Sequence, residues 1–402
     1  MADAVGLIRS LLLARTPPDP YPVYEALRAD PGVHHFAPLD AYLVTRHADC
    51  AALHRDRSLR VINGVQQGRR RVGQWPPEIL ASIEQWPVYR NPPGHSALRQ
   101  AAAPYFTPSR VAALRAFVER ECERALDELA RHGRDGTAVD LVPVLAAVPM
   151  RTMVHVLGLP AADVGTLVEL MSEFSLLFEV VLSQAQNRRL AASHGRLVAY
   201  YLDRIAAART GRFADLVAHW SDVGGGKSPR QVAGMLAGLM LAGFETSLGL
   251  LGNGARALAL HPDQARLLAH RPELAEAAVE EVLRWDSPVQ VNTRLAGRTM
   301  AVAGTVIPEG AVVGLVYGSA HRDPDRYPDP DRFDITRTGV RPLSFGFGVH
   351  HCVGSQLARM EAAVVLAALA RRFPRLRLAG TPTLRQPCFT IRALQALPVR
   401  TA

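Results

Sequence analysis

Two histidines and a cysteine, His350, His351 and Cys352, stand side by side in the glycine-rich stretch SFGFGVHHCVGSQLAR, and three chemistries use such residues. Zinc is the first, but adjacent ligands do not easily close a tetrahedron, and no second Cys/His cluster stands at a suitable spacing. A nucleophilic thiol is the second, and it usually sits in a strained turn with its base brought from elsewhere in the fold. The glycines suit neither. Gly346, Gly348 and Gly354 let the backbone lie close against a flat object, and Phe345 can shield one side of it. Cys352 falls just before a predicted helix, 354–373, whose first amides favour a thiolate. A thiolate so placed is the arrangement of a haem axial ligand.

A second candidate lies in the apolar run from Pro229 to Leu260, which reads as one long buried helix. Its middle is AGFETS, where Glu245 and Thr246 bring an acid and a hydroxyl into apolar surroundings at a cost unless they are satisfied. Thr246 can bond the carbonyl of Ala242 and bend or open the helix there, leaving a groove for water beside a carboxylate and an alcohol. That is a proton relay; the plainer alternative is a threonine bonded to its own helix and a glutamate reaching the surface. Glu281 and Arg284, three apart in EEVLRW, form a third pair. The same spacing recurs at Glu25/Arg28, Glu121/Arg124 and Glu128/Arg131, so spacing alone carries nothing. Context separates the 281/284 pair: a proline-rich coil containing Arg332 follows, and such a coil needs an internal polar anchor.

Helical periodicity supplies the frame for these residues. Helices are predicted over 21–29, 48–54, 108–132, 141–156, 161–182, 186–208, 229–260, 262–271, 273–285 and 354–373. Strand-like stretches lie near the N-terminus and after Trp285, so distant strands must pair across a helical body. With 402 residues, 48% hydrophobic and 21% charged, the chain is long and apolar enough for a large core. Its four cysteines are scattered, which excludes a disulfide scaffold or zinc ribbon. GGGKS lacks the first glycine of a phosphate loop (Ser221 stands there), and Ser228-Pro229 reads better as a helix start. All but one of the 46 basic residues are arginine and they are spread along the chain, with one dense run at Arg69, Arg70 and Arg71. The net charge of +9 therefore does not mark a nucleic-acid binder. Neither a signal peptide nor an N-terminal membrane span is evident, and the expectation is a cytoplasmic protein.

FGFGVHHCVG resembles the haem-binding signature of the cytochrome P450 superfamily, with Phe345, Gly348, His350, Cys352 and Gly354 where that pattern has them. AGFETS, EVLR, PDRF and NPPGHSALR followed by YFTPSRV match further motifs of the family. The resemblance implies a mainly α fold with small β-sheets (α+β), a triangular prism forming a single domain over 1–402. Its β-rich portion would span about 30–60 and 288–345, with haem b buried between the long central helix and the cysteine helix. By the same resemblance Cys352 is the axial ligand of the haem iron, and His95, Arg99, Arg294 and His350 hold the propionates, leaving His351 without a role. Glu245 and Thr246 become the acid–alcohol pair that delivers protons during oxygen activation. Glu281, Arg284 and Arg332 become a structural cluster behind the haem. Asn91, Gly94 and Ala97 depart from the family's usual Asp, Glu and Arg.

The implied activity is a monooxygenase fed by a ferredoxin and its reductase, with Arg359, Arg371 and Arg372 as candidate docking cations. It is expected to be a monomer that binds neither membrane nor nucleic acid and acts in natural-product (secondary metabolite) biosynthesis. Hydroxylation, epoxidation and oxidative coupling are all compatible with the chemistry. The pocket would be lined by 61–89, 170–182, 239–246, 289–292 and 389–390. Trp75, Trp86, Tyr89, Phe174, Phe178 and Phe389 there, beside Asn292, Arg69, Arg70, Arg71 and Glu173, suggest a polar aromatic or peptide-like small molecule. A peroxide-dependent peroxygenase, a haem-thiolate sensor without turnover and a zinc or cysteine hydrolase are the alternatives.

Overall fold

The helix Pro229–Leu260 is the axis of the computed structural model, which describes residues 4–12, 19–29, 32–62, 75–179, 181–223, 225–385 and 389–401. The arginines at 69–71 and Cys388 lie outside the described residues. Ser228 starts the helix as its sequence predicts. Its hydroxyl accepts from the Gln231 amide at 3.3 Å, Gln231 Oε1 accepts from the Ser228 amide at 2.9 Å, and Pro229 takes the first helical position. At 32 residues the helix is about 48 Å long, and Leu141–Leu157, Gln184–Ala207, Ser355–Arg372 and Pro77–Ile83 pack around it. Glycines set how close two of these neighbours come: a Cβ on Gly243 would lie 2.5 Å from Met153 Sδ, and one on Gly254 2.9 Å from Leu366. Among the described helices this is the one long and apolar enough to cross a membrane, and most of it is enclosed by the fold.

Strands distant in sequence do pair across the helical body. Val33–Phe36, Ala41–Val44, Val312–Val316, Val291–Ala296 and Leu59–Arg60 form a five-stranded sheet in that order. Ala41–Val44 runs parallel to Val312–Val316, and the other pairings are antiparallel. Two features depart from the sequence reading. The helix predicted over 161–182 stops at Phe174 and tightens into the 3₁₀ turn Ser175–Phe178. There the Ser175 hydroxyl bonds the Ser172 carbonyl at 2.9 Å, a local bond that competes with the helix. Short C-terminal strands also form: Thr383–Leu384 pairs with Leu394–Ala396, and Pro398–Arg400 joins Arg377–Leu378 and Val139–Asp140. At two or three residues each, they are too short to show an alternating pattern.

The glutamate–arginine anchor forms, with one partner changed. Glu281 and Arg284, both fully buried, meet through two bonds of 2.7 Å. Arg284 also donates to the carbonyls of His321 (3.2 Å), Pro330 (2.6 Å) and Arg332 (2.9 Å), so it holds the coil by its backbone. Arg332 contributes that carbonyl only. Its side chain is exposed and reaches Asp334 at 3.5 Å. The second arginine of the cluster is Arg337, whose Nε lies 3.4 Å from Glu281 and whose other nitrogens donate to the carbonyls of Pro328 and Asp329. Arg284→Ala leaves a buried charge unpaired and is expected to destabilise the protein by about 3–5 kcal/mol. Arg337→Ala should cost about 1–3 kcal/mol, and Arg332→Ala should stay within about 0.5 kcal/mol of wild type. Denaturant unfolding of the three variants checks this order, and equal losses for Arg332→Ala and Arg337→Ala would contradict it.

Candidate active site

The loop that carries Cys352 is built from turns. Leu343–Phe345 forms one 3₁₀ turn and Gly348–His350 another, with Gly346 at φ 72° and Gly348 at φ 63°, a region glycine enters without strain. The Cys352 amide donates to the Phe345 carbonyl at 2.8 Å and closes the loop on itself. Gly354 then caps the helix Ser355–Arg372. Cys352 is exposed as a residue, although protein atoms crowd its thiol. Burial pushes its thiol up, and the Gly354 amide, Arg99 and Arg359 only oppose that. The helix terminus therefore does not by itself make a thiolate. A bound cation would favour deprotonation here.

Beside the loop, the expected histidines and arginines converge. His95 and Arg99 share one face of the helix Gly94–Ala102, and Arg294 comes from the strand Val291–Ala296. The His95 and His350 rings are 4.2 Å apart. His350 is held down to about 3 by burial, then by His95, Arg294 and Arg99, and His95 is lowered by burial and by Arg99. Arg294 is lowered by burial too. Among the described residues no carboxylate pairs with any of the four. His95 Nδ1 is buried without a hydrogen-bond partner. Arg294 bonds Asn292 Oδ1, so Asn292 belongs to this cluster rather than to a substrate wall. His351 is exposed, and its carbonyl accepts from Arg99.

Between Val232 and Ala255 the central helix is buried except for one stripe, Leu239, Ala242, Gly243 and Thr246. These residues fall on one face by helical spacing, and the helix packs against the cysteine helix. Thr246 donates to the Ala242 carbonyl at 2.8 Å, as expected, and the helix continues unbroken through it. Glu245 is turned into the protein at 1% exposure. One of its oxygens pairs with Arg385 and the other has no partner. Burial raises its carboxyl and Arg385 opposes the rise.

Several side chains differ from the sequence reading. Phe345 lies under Arg359, whose guanidinium carbon is 4.2 Å from the ring centroid, and Arg359 is also paired with Glu280. Arg371 pairs with Glu123, and Arg372 with Glu123 and Asp127. The three candidate docking cations each have a carboxylate partner within the protein, Arg371 while largely exposed. Glu173 pairs with Arg189 on the surface. Trp86 and Phe174 meet edge to face at 6.0 Å, and the Trp86 indole donates to the Gly234 carbonyl at 2.7 Å. Gly238, one turn before Ala242, has no room for a Cβ because Trp86 would lie 2.4 Å from it, so Trp86 bounds the open stripe at its N-terminal end. Sequence reasoning missed Arg385 and Glu361. The latter is buried in the cysteine helix, raised to about 7 by burial, and hydrogen-bonded to Thr152 and Ser247. No motif marks either residue.

These residues fit a flat ring that carries a metal centre and carboxylate arms. An exposed cysteine, unanswered cations and an orphaned imidazole nitrogen stand together, and one helix face is open. Among the described residues no three His, Cys, Asp or Glu side chains gather to hold a bare metal ion, which leaves the zinc reading without a ligand set. The family model for cytochrome P450 matches residues 262–384. Cytochrome P450 107B1 of Saccharopolyspora erythraea is 34% identical over 373 residues, 90% of this chain and 89% of that protein. The polyketide biosynthesis cytochrome P450 PksS of Bacillus subtilis (strain 168) is 30% identical over 399 residues, 95% of each. The solved structure of P450BioI, in complex with an acyl carrier protein ligated to hexadec-9Z-enoic acid, superposes with a TM-score of 0.84 at 27% identity. That likeness covers 95% of this chain and 98% of that one. Similarity of this extent to proteins of one kind, on the same fold, places the chain in the cytochrome P450 family of haem-thiolate monooxygenases.

Proposed function

We propose that the protein uses haem b, with Cys352 as its thiolate ligand, to oxidise a small organic molecule of natural-product biosynthesis. Dioxygen is the oxidant, and a ferredoxin with its reductase supplies the electrons. One observation carries the reading: an exposed cysteine stands beside four histidine and arginine side chains that no carboxylate answers. His95, Arg99, Arg294 and His350 would hold the two acidic arms of the ring, and His95 Nδ1 gains the partner it lacks. Phe345, Gly348 and Gly354 shape the loop around the sulfur, the two glycines by leaving the backbone free of side chains. When bound, such a group supplies reductive activation of dioxygen and transfer of one oxygen atom to the substrate.

The chain's own residues bind, orient and move protons. Cys352 gives up its proton on taking the metal, since a ligating thiol is deprotonated. Thr246 holds a proton at Oγ1 and parks it on the Ala242 carbonyl. Glu245 stands one residue away with one unpartnered oxygen, the acid–base group from which a proton reaches Thr246 through water. Presence of both members favours dioxygen with external electrons over a peroxide-driven cycle. Trp86, Phe174 and Leu239, which share one apolar cluster, would give the substrate side an apolar, aromatic wall, whereas Phe389 packs in a separate cluster with Val291 and Val316. Glu173 and Asn292 are engaged by arginines and Arg69, Arg70 and Arg71 lie outside the described residues, so among the described residues the peptide-like expectation loses its polar support; a substrate of polyketide type, the biosynthesis named for the relative PksS, suits an apolar wall. The net charge of +9, rather than Arg359, Arg371 and Arg372, supports an acidic electron donor.

The reduced protein under carbon monoxide is expected to show the red-shifted Soret band of thiolate-ligated haem, and Cys352→Ser to abolish it. Persistence of that band in the variant would remove Cys352 from the site. Thr246→Ala should keep the band but lower product formed per reductant consumed by about tenfold or more, the scale of a lost proton-transfer group. Unchanged coupling would take Thr246 out of the relay.

A further inference from the structure

Arg385 joins three parts of the chain at one guanidinium. Its backbone amide donates to the Ala393 carbonyl at 3.0 Å and fixes it in the C-terminal hairpin. Nη1 donates both to Ser175 Oγ, at 3.0 Å, and to Glu245 Oε1. Ser175 opens the turn Ser175–Phe178, and the next residue, Glu179, accepts from the amides of Thr390 and Ile391 at 3.4 Å each. Segment 175–179 is thus tied at two points to the C-terminal segment, and the first tie runs through the same nitrogen that holds Glu245. A carboxylate at 1% exposure in an apolar helix must be paired or take a proton. Of the charged groups on the elements around it, Glu361 of the cysteine helix bonds Ser247 and Thr152, and Glu179 bonds backbone amides. Arg385 is the charge that acts on Glu245.

We infer that Arg385 is a positioning residue that keeps Glu245 an aimed carboxylate, and does so only while the C-terminal hairpin and the 175–179 turn are both in place. The inference rests on the reading of Glu245 as the proton-handling acid. The ion pair occupies Oε1 and leaves Oε2 for the relay, so the acid is both charged and oriented by a residue 140 positions away in sequence. Without the guanidinium, burial leaves Glu245 protonated and unable to accept a proton from water.

The test uses the haem-loaded protein and the variants Arg385→Ala, Arg385→Lys, Ser175→Ala, Glu245→Gln and Arg385→Ala/Glu245→Gln. Removing the cation raises the carboxyl further, so the acid limb of coupling against pH should move to higher pH by about 1–3 units in Arg385→Ala. Lysine should restore most of that movement, and Ser175→Ala should shift the limb the same way by less than about one unit. Infrared spectra at neutral pH should show a protonated-carboxyl C=O band in Arg385→Ala that vanishes in the double variant. An unmoved limb without the band overturns the proposal, as does a flat loss across pH that lysine fails to rescue. If Arg385→Ala does not fold, Arg385→Lys and Ser175→Ala decide, and an unmoved limb in both overturns it. Wild-type coupling in Glu245→Gln would instead fell the relay reading, while the carboxyl band still reports whether Arg385 holds Glu245 charged.

Discussion

A charge withdrawn from water must be met inside the protein, and the position of the sulfur ligand depends on how Glu281 and Arg284 meet that demand. Desolvating both repays its cost only when the remaining donors and acceptors are used. Arg284 spends them on the carbonyls of His321, Pro330 and Arg332, while Glu281 accepts from the Asp334 amide at 2.9 Å and from Arg337. Those partners lie along a coil with almost no regular structure of its own. Fixed by this pair, the coil feeds directly into the cysteine loop, where His321 Nε2 accepts from the Leu343 amide at 2.8 Å. A helix-borne ion pair thus helps set the place of a sulfur in the loop that precedes a different helix.

At the pocket the same rule is left open on purpose. His95, Arg294 and His350 are each made harder to protonate by desolvation, and Arg99 and Arg294 add positive charge beside the imidazoles. Burial pushes the Cys352 thiol up, with the Gly354 amide, Arg99 and Arg359 opposing it. One set of residues asks for negative charge at its edge, the other for a cation at its centre. A metal-bearing ring with acidic arms answers both together, and neither a bare metal ion nor a simple anion does. The two demands select one class of ligand more sharply than either does alone.

Much of this was legible in the chain because it is local. The capping box at Ser228, the Thr246 back-bond to Ala242 and the turns around Gly346 and Gly348 each depend on neighbours within four residues. Pairing of distant strands followed from their scarcity, which left each a single kind of partner. What the sequence hid was the choice among like side chains across long separations. Arg332 and Arg337 are both arginines in the same coil, and only packing shows that the first serves through its carbonyl and the second through its guanidinium. Arg385 directly follows a strand of two residues, Thr383–Leu384, with no motif around it, and meets Glu245 because the hairpin folds back. Arg359 looked like a docking cation because its exposure was assumed, whereas Glu280 and the Phe345 ring already engage it.

The loop itself shows why the ligand belongs in the energetics as well as the chemistry. Neither Leu343–Phe345 nor Gly348–His350 contains a buried residue, and Phe347 and Val349 are 51% and 60% exposed. A few backbone bonds hold this stretch, from Gly346 to Leu343, His351 to Gly348 and Cys352 to Phe345. One residue past Gly354 the chain enters a helix whose Ser355, Leu357 and Met360 are packed into the core. The boundary between unburied loop and buried helix therefore falls at the sulfur. A group that binds the folded loop and not the unfolded chain adds its own binding free energy to stability. Apolar surface contributed by a flat ring replaces the core this loop lacks, and the glycines that leave the loop bare are what allow that ring to come close enough to supply it.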